Sequence, residues 1–358
     1  MERVDVTIGT VEPPPSLATV GRGAEARVVA LLDAELDRWR AVDETLVAPL
    51  ASLRSLVLAG GKRLRPAFCH WAYRGAGGGP DDDLVVDVGA ALELLHTFAL
   101  VHDDVMDGSE RRRGGPAVHT QFVDRHHATA WRGEARRFGE GAAILVGDFA
   151  FVYADQLMAR APDDARAIYD ELRVELCVGQ YLDLVGTASG GRDAATARRI
   201  EWYKSGKYTV ERPLHLGAAL AGRPDLAPAL SEFGLPLGEA FQLRDDILGV
   251  FGDSDVTGKP VGEDLREGKL TPLVAFAAER AEGADRLLLD RLGAGDLRED
   301  EIDALRDLLV RCGAVREAEA RIERLVAESL AALERANLTD EATQALTALG
   351  TFVAWRDR

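Results

Sequence analysis

The chain is 358 residues long, with 47% hydrophobic and 29% charged residues, a globular composition that rules out a disordered polymer and leaves room for two average domains or one large one. Its 60 acidic and 43 basic side chains leave a formal charge of −17, and such a surface repels nucleic acid and anionic lipid unless basic residues cluster locally. Cys69, Cys177 and Cys312 lie far apart, are odd in number and form no CxxC pair, which argues against a zinc site or a disulfide framework and fits reduced thiols in a cytosol.

The opening stretch, MERVDVTIGTVEPPPS, lacks the basic start and apolar run of a secretory signal. Residues 1–16 are expected to form a disordered tail and residues 17–358 a single domain. After Pro15 nearly every segment repeats its apolar residues at helical spacing, with no sustained alternation of the kind a strand requires, so the fold is expected to be all-α. Glycine-rich punctuation falls at Gly60-Gly61, Gly75 to Pro80, Gly114-Gly115-Pro116, Gly190-Gly191 and Gly252 to Pro260, and none of these reads as an interdomain linker.

The first motif in chain order is Gly60-Gly61-Lys62-Arg63-Leu64-Arg65-Pro66. The glycine turn lets the backbone approach an anion, Arg65 can grip phosphate oxygens with both arms of its fork, and Lys62 adds a point charge. The spacing is not that of a Walker loop, and by itself the motif could be a turn with solvated charges. A helix follows from about Asp81 to Met106. Asp81, Asp82 and Asp83 suit its N-terminal dipole, and Val85, Val88, Leu92, Leu94, Leu95, Phe98, Leu100 and Val101 cover more than one face, the pattern of a helix buried in a bundle. Asp87, Glu93 and His96 interrupt it too often for a membrane span.

This helix ends in Asp103-Asp104-Val105-Met106-Asp107, where Asp103 and Asp107 share a face. Carboxylates gathered at a helix C-terminus repel one another and face the negative dipole end, so a cation should compensate. Hard oxygen donors of this kind suit magnesium shared with substrate phosphates, although the cluster alone could equally be a solvated helix end. Arg111-Arg112-Arg113 follows directly and could simply neutralise the aspartates. A second acidic pair, Asp245-Asp246 in FQLRDDILG, lies on another apolar helix, from about Pro228 to Val250, and suggests a second carboxylate wall. Lys207, Lys259 and Lys269 lie in glycine-containing segments, where lysines can close over a phosphate. Amphipathic helices fill 299 to 355.

In conjunction and order, GGKRLRP, HDDVMD, RRRGG, SGKYT, FQLRDD and TGKPVGEDLREGK resemble the trans-isoprenyl diphosphate synthase family from about Ala51 to Pro272. The resemblance implies a large single-domain helical bundle around a central cavity, a homodimer, and magnesium-dependent condensation of isopentenyl diphosphate with an allylic diphosphate, with three ions per site. It maps the first aspartate motif onto Asp103, Asp104 and Asp107 and the second onto Asp245 and Asp246, with Asp103, Asp107 and Asp245 as metal ligands. Arg112, Lys207, Lys259 and Lys269 are implied around the allylic diphosphate with Gln242 nearby, and Lys62, Arg65, His96 and Arg113 around the isopentenyl diphosphate. The departing diphosphate takes the proton, so no side-chain base is required.

This sequence departs from the family pattern at Gly249, where the second motif would carry a third aspartate; Asp253 or a water is the expected substitute. The family sets product length upstream of the first aspartates. Ala99 lies about 5.4 Å below Asp103, Leu95 one turn lower, and Phe98 is offset around the helix. A small residue at the fourth upstream position and an aromatic at the fifth resemble geranylgeranyl-forming members, with a farnesyl product as the alternative. A terpene cyclase would need a different second metal motif and has no use for GGKRLRP. An HD-type phosphohydrolase, hinted at by His102-Asp103, would need further metal-binding histidines. The third reading is a non-catalytic subunit of a two-part synthase, against which stand the intact Asp103, Asp104, Asp107, Lys62 and Arg112.

Overall fold

The structure is a computed structural model that describes residues 11–80, 82–189, 194–252, 262–294 and 296–356. As expected it is all-helical, and the described strands form one minimal hairpin, β1 (Arg111–Arg112) with β2 (Gly115–Pro116). The first helix, α1, spans Pro15–Arg40. It therefore begins two residues before the expected edge of the domain, while residues 1–10 of the expected tail lie outside the described residues.

The centre of the bundle is α4 (Asp83–Asp107). Asp82 caps its start by accepting a hydrogen bond from Leu84 N at 2.8 Å, and Gly108, at φ 69°, ends it in the left-handed conformation that glycine adopts without cost. Its apolar residues pack against α6 (Ala135–Met158), α3 (Leu64–Gly75), α1 and α2 (Val47–Leu58). Both α4 and α6 are long and apolar enough to cross a membrane by composition, but α4 is largely enclosed by its neighbours, as a core helix must be.

The second aspartate-bearing helix, α10 (Ala227–Phe251), lies against the helix Ala314–Leu333 and the last helix, Asp340–Trp355. Their contact is fixed by a buried fork, in which Arg244 donates to both oxygens of Glu319 at 2.8 and 2.7 Å and to Ala354 O at 2.7 Å. Between these halves run α7 (Asp163–Ser189) and a π-helical segment, Trp202–Glu211, which packs against α7 and α10. A π-helix holds more residues per turn than an α-helix and is frequent at functional sites.

Candidate active site

A cavity of about 1080 Å³ opens among these elements and is lined by residues of α1, α3, α4, α7, the π-helical segment, α10 and the last helix. Three groups of polar side chains enter it.

The basic group grows from the glycine turn. Arg63 adopts φ 53° at the start of α3 and is buried, bonded to Glu93 at 2.6 Å and Glu25 at 2.8 Å, so it organises the turn. Gly61 is at φ +141°, a conformation that strains any other residue, and a Cβ there would stand 2.9 Å from Arg113 Nη2 and crowd that guanidinium. Arg113 in turn donates to Leu56 O at 2.7 Å, and burial, with Arg63 nearby, brings its pKa down to about 10. Arg65 lies 4.1 Å over the Tyr208 ring and donates to Thr209 at 2.8 Å. His96 faces the same space, with Nδ1 buried and unbonded, and burial together with Arg65 and Arg113 holds it well below its usual pKa, hence neutral. Lys62 also lines the cavity. The structure thus gathers Lys62, Arg65, His96 and Arg113 around one cavity.

The first acidic group is centred on Asp103. Burial opposes its charge, but Lys204, Lys269 and Arg112 outweigh that and hold the carboxyl below its usual range. Lys204 Nζ lies 3.0 Å from Asp103 and 2.5 Å from Asp183, and Gln180 donates to Asp103 at 3.0 Å. One turn on, Asp107 is pushed up to about 6 by burial and by the charge of Asp103, with Lys269 Nζ 3.4 Å away. Asp104 does not line the cavity. It is buried and receives both a 2.8 Å bond from Arg112 Nε and a second from Nη2, so Arg112 is largely engaged by aspartate.

The second acidic group is on α10, where Gln242, Asp245 and Asp246 all line the cavity and Gln242 donates to Asp246 at 2.7 Å. Gly249 sits beside them for a steric reason: a Cβ on it would come within 2.0 Å of Asp264 Oδ2. Asp264 therefore occupies the space into which a third aspartate of the motif would project, and it too lines the cavity.

Lys207 requires correction. It is bound by Glu175 at 2.7 Å and Glu211 at 3.4 Å and does not line the cavity. The wide π turn presents Lys204 instead and, further along, Tyr208 and Thr209 to the basic group, so one segment serves both ends of the cavity. Phe98 also departs from expectation. It packs on His102 at 4.5 Å and Phe151 at 4.9 Å, away from the cavity, because one residue of offset turns a side chain by about 100°. Ala99 does line it, and Leu95 is fully buried below. Lys259 and Asp253 lie outside the described residues. Sequence reasoning missed Lys204, Gln180, Asp183 and Asp264; the Gln180–Asp183 spacing, one turn apart on an amphipathic helix, was the available signal.

Among the described residues no three carboxylate, imidazole or thiol groups converge tightly enough to hold a metal by themselves. The two acidic groups nevertheless fit magnesium, which takes few protein carboxylates and completes its shell with water and phosphate oxygens. Asp107, whose pKa is raised by burial and, after that, by the charge of Asp103, has its Oδ2 buried without a hydrogen bond, 3.4 Å from the Lys269 ammonium.

A helical bundle with two acidic groups and a basic group around one cavity is the arrangement of a prenyl diphosphate synthase, and comparison with known proteins agrees. Residues 49–309 match the polyprenyl synthetase family model. The chain is 35% identical over 328 residues to the short chain isoprenyl diphosphate synthase of Methanothermobacter thermautotrophicus, covering 87% of this chain and 92% of that one. It is 33% identical over 312 residues to the geranylfarnesyl diphosphate synthase of Aeropyrum pernix, covering 84% and 92%. The crystal structure of a geranylgeranyl pyrophosphate synthase from Corynebacterium glutamicum, complexed with isoprenyl diphosphate and magnesium, superposes with a TM-score of 0.90 at 35% identity, covering 95% and 99%. The chain belongs to the polyprenyl synthetase family and is a chain-elongating prenyltransferase.

Proposed function

We propose that this enzyme condenses isopentenyl diphosphate with allylic diphosphates to make geranylgeranyl diphosphate, as a magnesium-dependent cytoplasmic homodimer with no nucleic-acid partner. The observation that carries the product assignment is Ala99. It lines the cavity one turn below Asp103 while Phe98 packs elsewhere, so no aromatic ring from α4 closes the cavity at that depth.

Asp103, Asp107 and Asp245 would hold magnesium, three ions per site, with Asp264 taking the part of the absent third aspartate of the second motif. Bound there, the metal neutralises the allylic diphosphate and makes it a better leaving group. Lys204 and Lys269 approach the same carboxylates and add positive charge where the leaving group gains negative charge. Lys62, Arg65, His96 and Arg113 hold the isopentenyl diphosphate so that its double bond faces the allylic carbon. The allylic carbon–oxygen bond breaks, the new carbon–carbon bond forms, and the proton lost from the isopentenyl carbon goes to the departing diphosphate. Leu100 and Leu176 give that space apolar lining, which protects the allylic cation from water.

The homodimer reading rests on α6 and α7, where Leu145 is 59% and Tyr181 67% exposed along with Ile144, Val152, Val174 and Val178. Exposed apolar side chains at helical spacing on these two helices are the kind of surface that a second copy would cover. Light scattering should give twice the chain mass, and a monomer would refute it.

The product assignment is tested by incubating purified enzyme with magnesium, isopentenyl diphosphate and, separately, dimethylallyl, geranyl and farnesyl diphosphates, then identifying the dephosphorylated alcohols. A twenty-carbon alcohol is expected. A fifteen-carbon product would overturn the reading of Ala99, and no product from any primer would overturn the catalytic role.

A further inference from the structure

The residue that follows the last helix, Arg356, is 0% exposed, yet its guanidinium reaches the second acidic group. Nη2 donates to Asp245 Oδ1 and lies 3.5 Å from Phe241 O. Nη1 donates to Val353 O, and the whole group lies 4.3 Å over the Phe241 ring. A guanidinium removed from water is costly unless it is paired, and Asp245 supplies the charge. Asp245 itself lines the cavity and keeps 39% side-chain exposure, and the bond from Arg356 engages its Oδ1.

We propose that Arg356 is a positioning residue for Asp245, holding one carboxylate oxygen so that the other is presented to magnesium in a fixed orientation. The inference rests on the metal reading given above. Two effects of a buried cation oppose each other here. Its charge disfavours a second cation on the same carboxylate, whereas its fork removes the rotamer freedom that Asp245 would otherwise lose on binding metal. The geometry favours the second effect, because the guanidinium is itself pinned by a ring face and two carbonyls and cannot follow the carboxylate if it turns. Hydrogen-bond partners of metal-ligating carboxylates are typically worth about 10- to 100-fold in metal affinity or activity. The bond also ties the end of the last helix, which already lines the cavity through Phe352, to the second acidic group. Arg244, one residue before Asp245, grips the same helix end through Ala354 O but pairs with Glu319 and not with the cavity carboxylates.

The test uses the rise in thermal midpoint produced by magnesium with inorganic diphosphate, titrated in magnesium, alongside steady-state kinetics. R356Q should need about 10- to 100-fold more magnesium to reach half its thermal shift and show the same change in the magnesium dependence of kcat, with the KM for isopentenyl diphosphate unchanged. E319A loosens the same helix end from the other side and should lower the midpoint without altering the magnesium dependence. If R356Q does not fold, R356K decides: it keeps the charge but cannot reach Asp245, Val353 O and Phe241 O together, and should weaken the magnesium response severalfold. An unchanged magnesium response in the folded variant would overturn the proposal, leaving Arg356 a structural anchor. A tighter response would also overturn it and show that charge repulsion dominates. A wild-type enzyme with no magnesium response would overturn both this inference and the metal reading on which it rests.

Discussion

Replacing Gly249 by alanine separates the stability of α10 from the work of the site. Glycine within a helix costs roughly 0.5–1 kcal/mol relative to alanine, so helix propensity alone favours the substitution. The new Cβ, however, would stand 2.0 Å from Asp264 Oδ2 and 2.8 Å from its Cγ, where van der Waals contact allows nothing nearer than about 3 Å. Asp264 must retreat by about 1 Å, and its side chain is free enough to do so without unfolding anything. Misplacement on this scale can cost on the order of 10²-fold in turnover, equivalent to about 2.7 kcal/mol of transition-state stabilisation. G249A should therefore keep its thermal midpoint within a few degrees while kcat falls between about 10- and 100-fold. D264A should fall similarly, G249D should fall further because two carboxylates then compete for one space, and the combined G249D/D264A should recover activity above either single variant. Steady-state kinetics at saturating magnesium, with melting curves as the control, decides it. Full kcat in G249A or in D264A would refute the reasoning, since Asp264 would then be a bystander.

Three further expectations follow from the same site. K204A should lose about 10²- to 10³-fold in kcat, the usual cost of one donor to a developing anion, while K207A should keep kcat and lose about 1 kcal/mol of stability from its contacts with Glu175 and Glu211; the reverse ranking would restore Lys207 to the site. A99F should shorten the product to fifteen carbons and F98A should leave it unchanged, as read by product analysis, and a shortened product only in a Phe98 variant would contradict the placement of these side chains. His96 is held neutral in the folded chain, but unfolded it takes up a proton below about pH 6.5. The unfolded state then binds more protons, so stability falls with falling pH. As pH falls from 7 through about 6.5 this loss should be visible as a shallower pH dependence of the denaturation midpoint in H96N than in the wild type, and identical slopes would refute it.

What could be read from the sequence depended on whether a residue's role was local. The turn Gly60-Gly61 and the pair Asp103 and Asp107 declare themselves through short-range geometry, one by backbone freedom and the other by helical spacing, and the structure brings Gly61 and Asp103 to the cavity lining, with Asp107 one turn on beside Lys269. Phe98 and Ala99 are neighbours in sequence but sit on different faces of α4, and only knowledge of what packs on each face separates them. Lys207 is singled out in the sequence by its glycine-containing segment, yet the π-helical winding presents Lys204, and no periodicity rule for an α-helix anticipates that. The apparent gap at Gly249 closes only in three dimensions, where Asp264 arrives from a different segment. Arg356 has no sequence signal at all, since its partner lies more than a hundred residues earlier.

The π-helical segment Trp202–Glu211 also bears on how this enzyme can change over time. A π turn is in effect an α-helix that has accepted a surplus residue, and losing one residue here would let a more regularly bonded helix form. That deletion would turn whatever follows it by about 100°, so Lys204 and the Tyr208–Thr209 pair could no longer address the two ends of the cavity at once. A lineage passing through such a deletion would gain a more regular fold and lose the alignment of its two substrates, so purifying selection should maintain the irregular winding for as long as both diphosphates must be held.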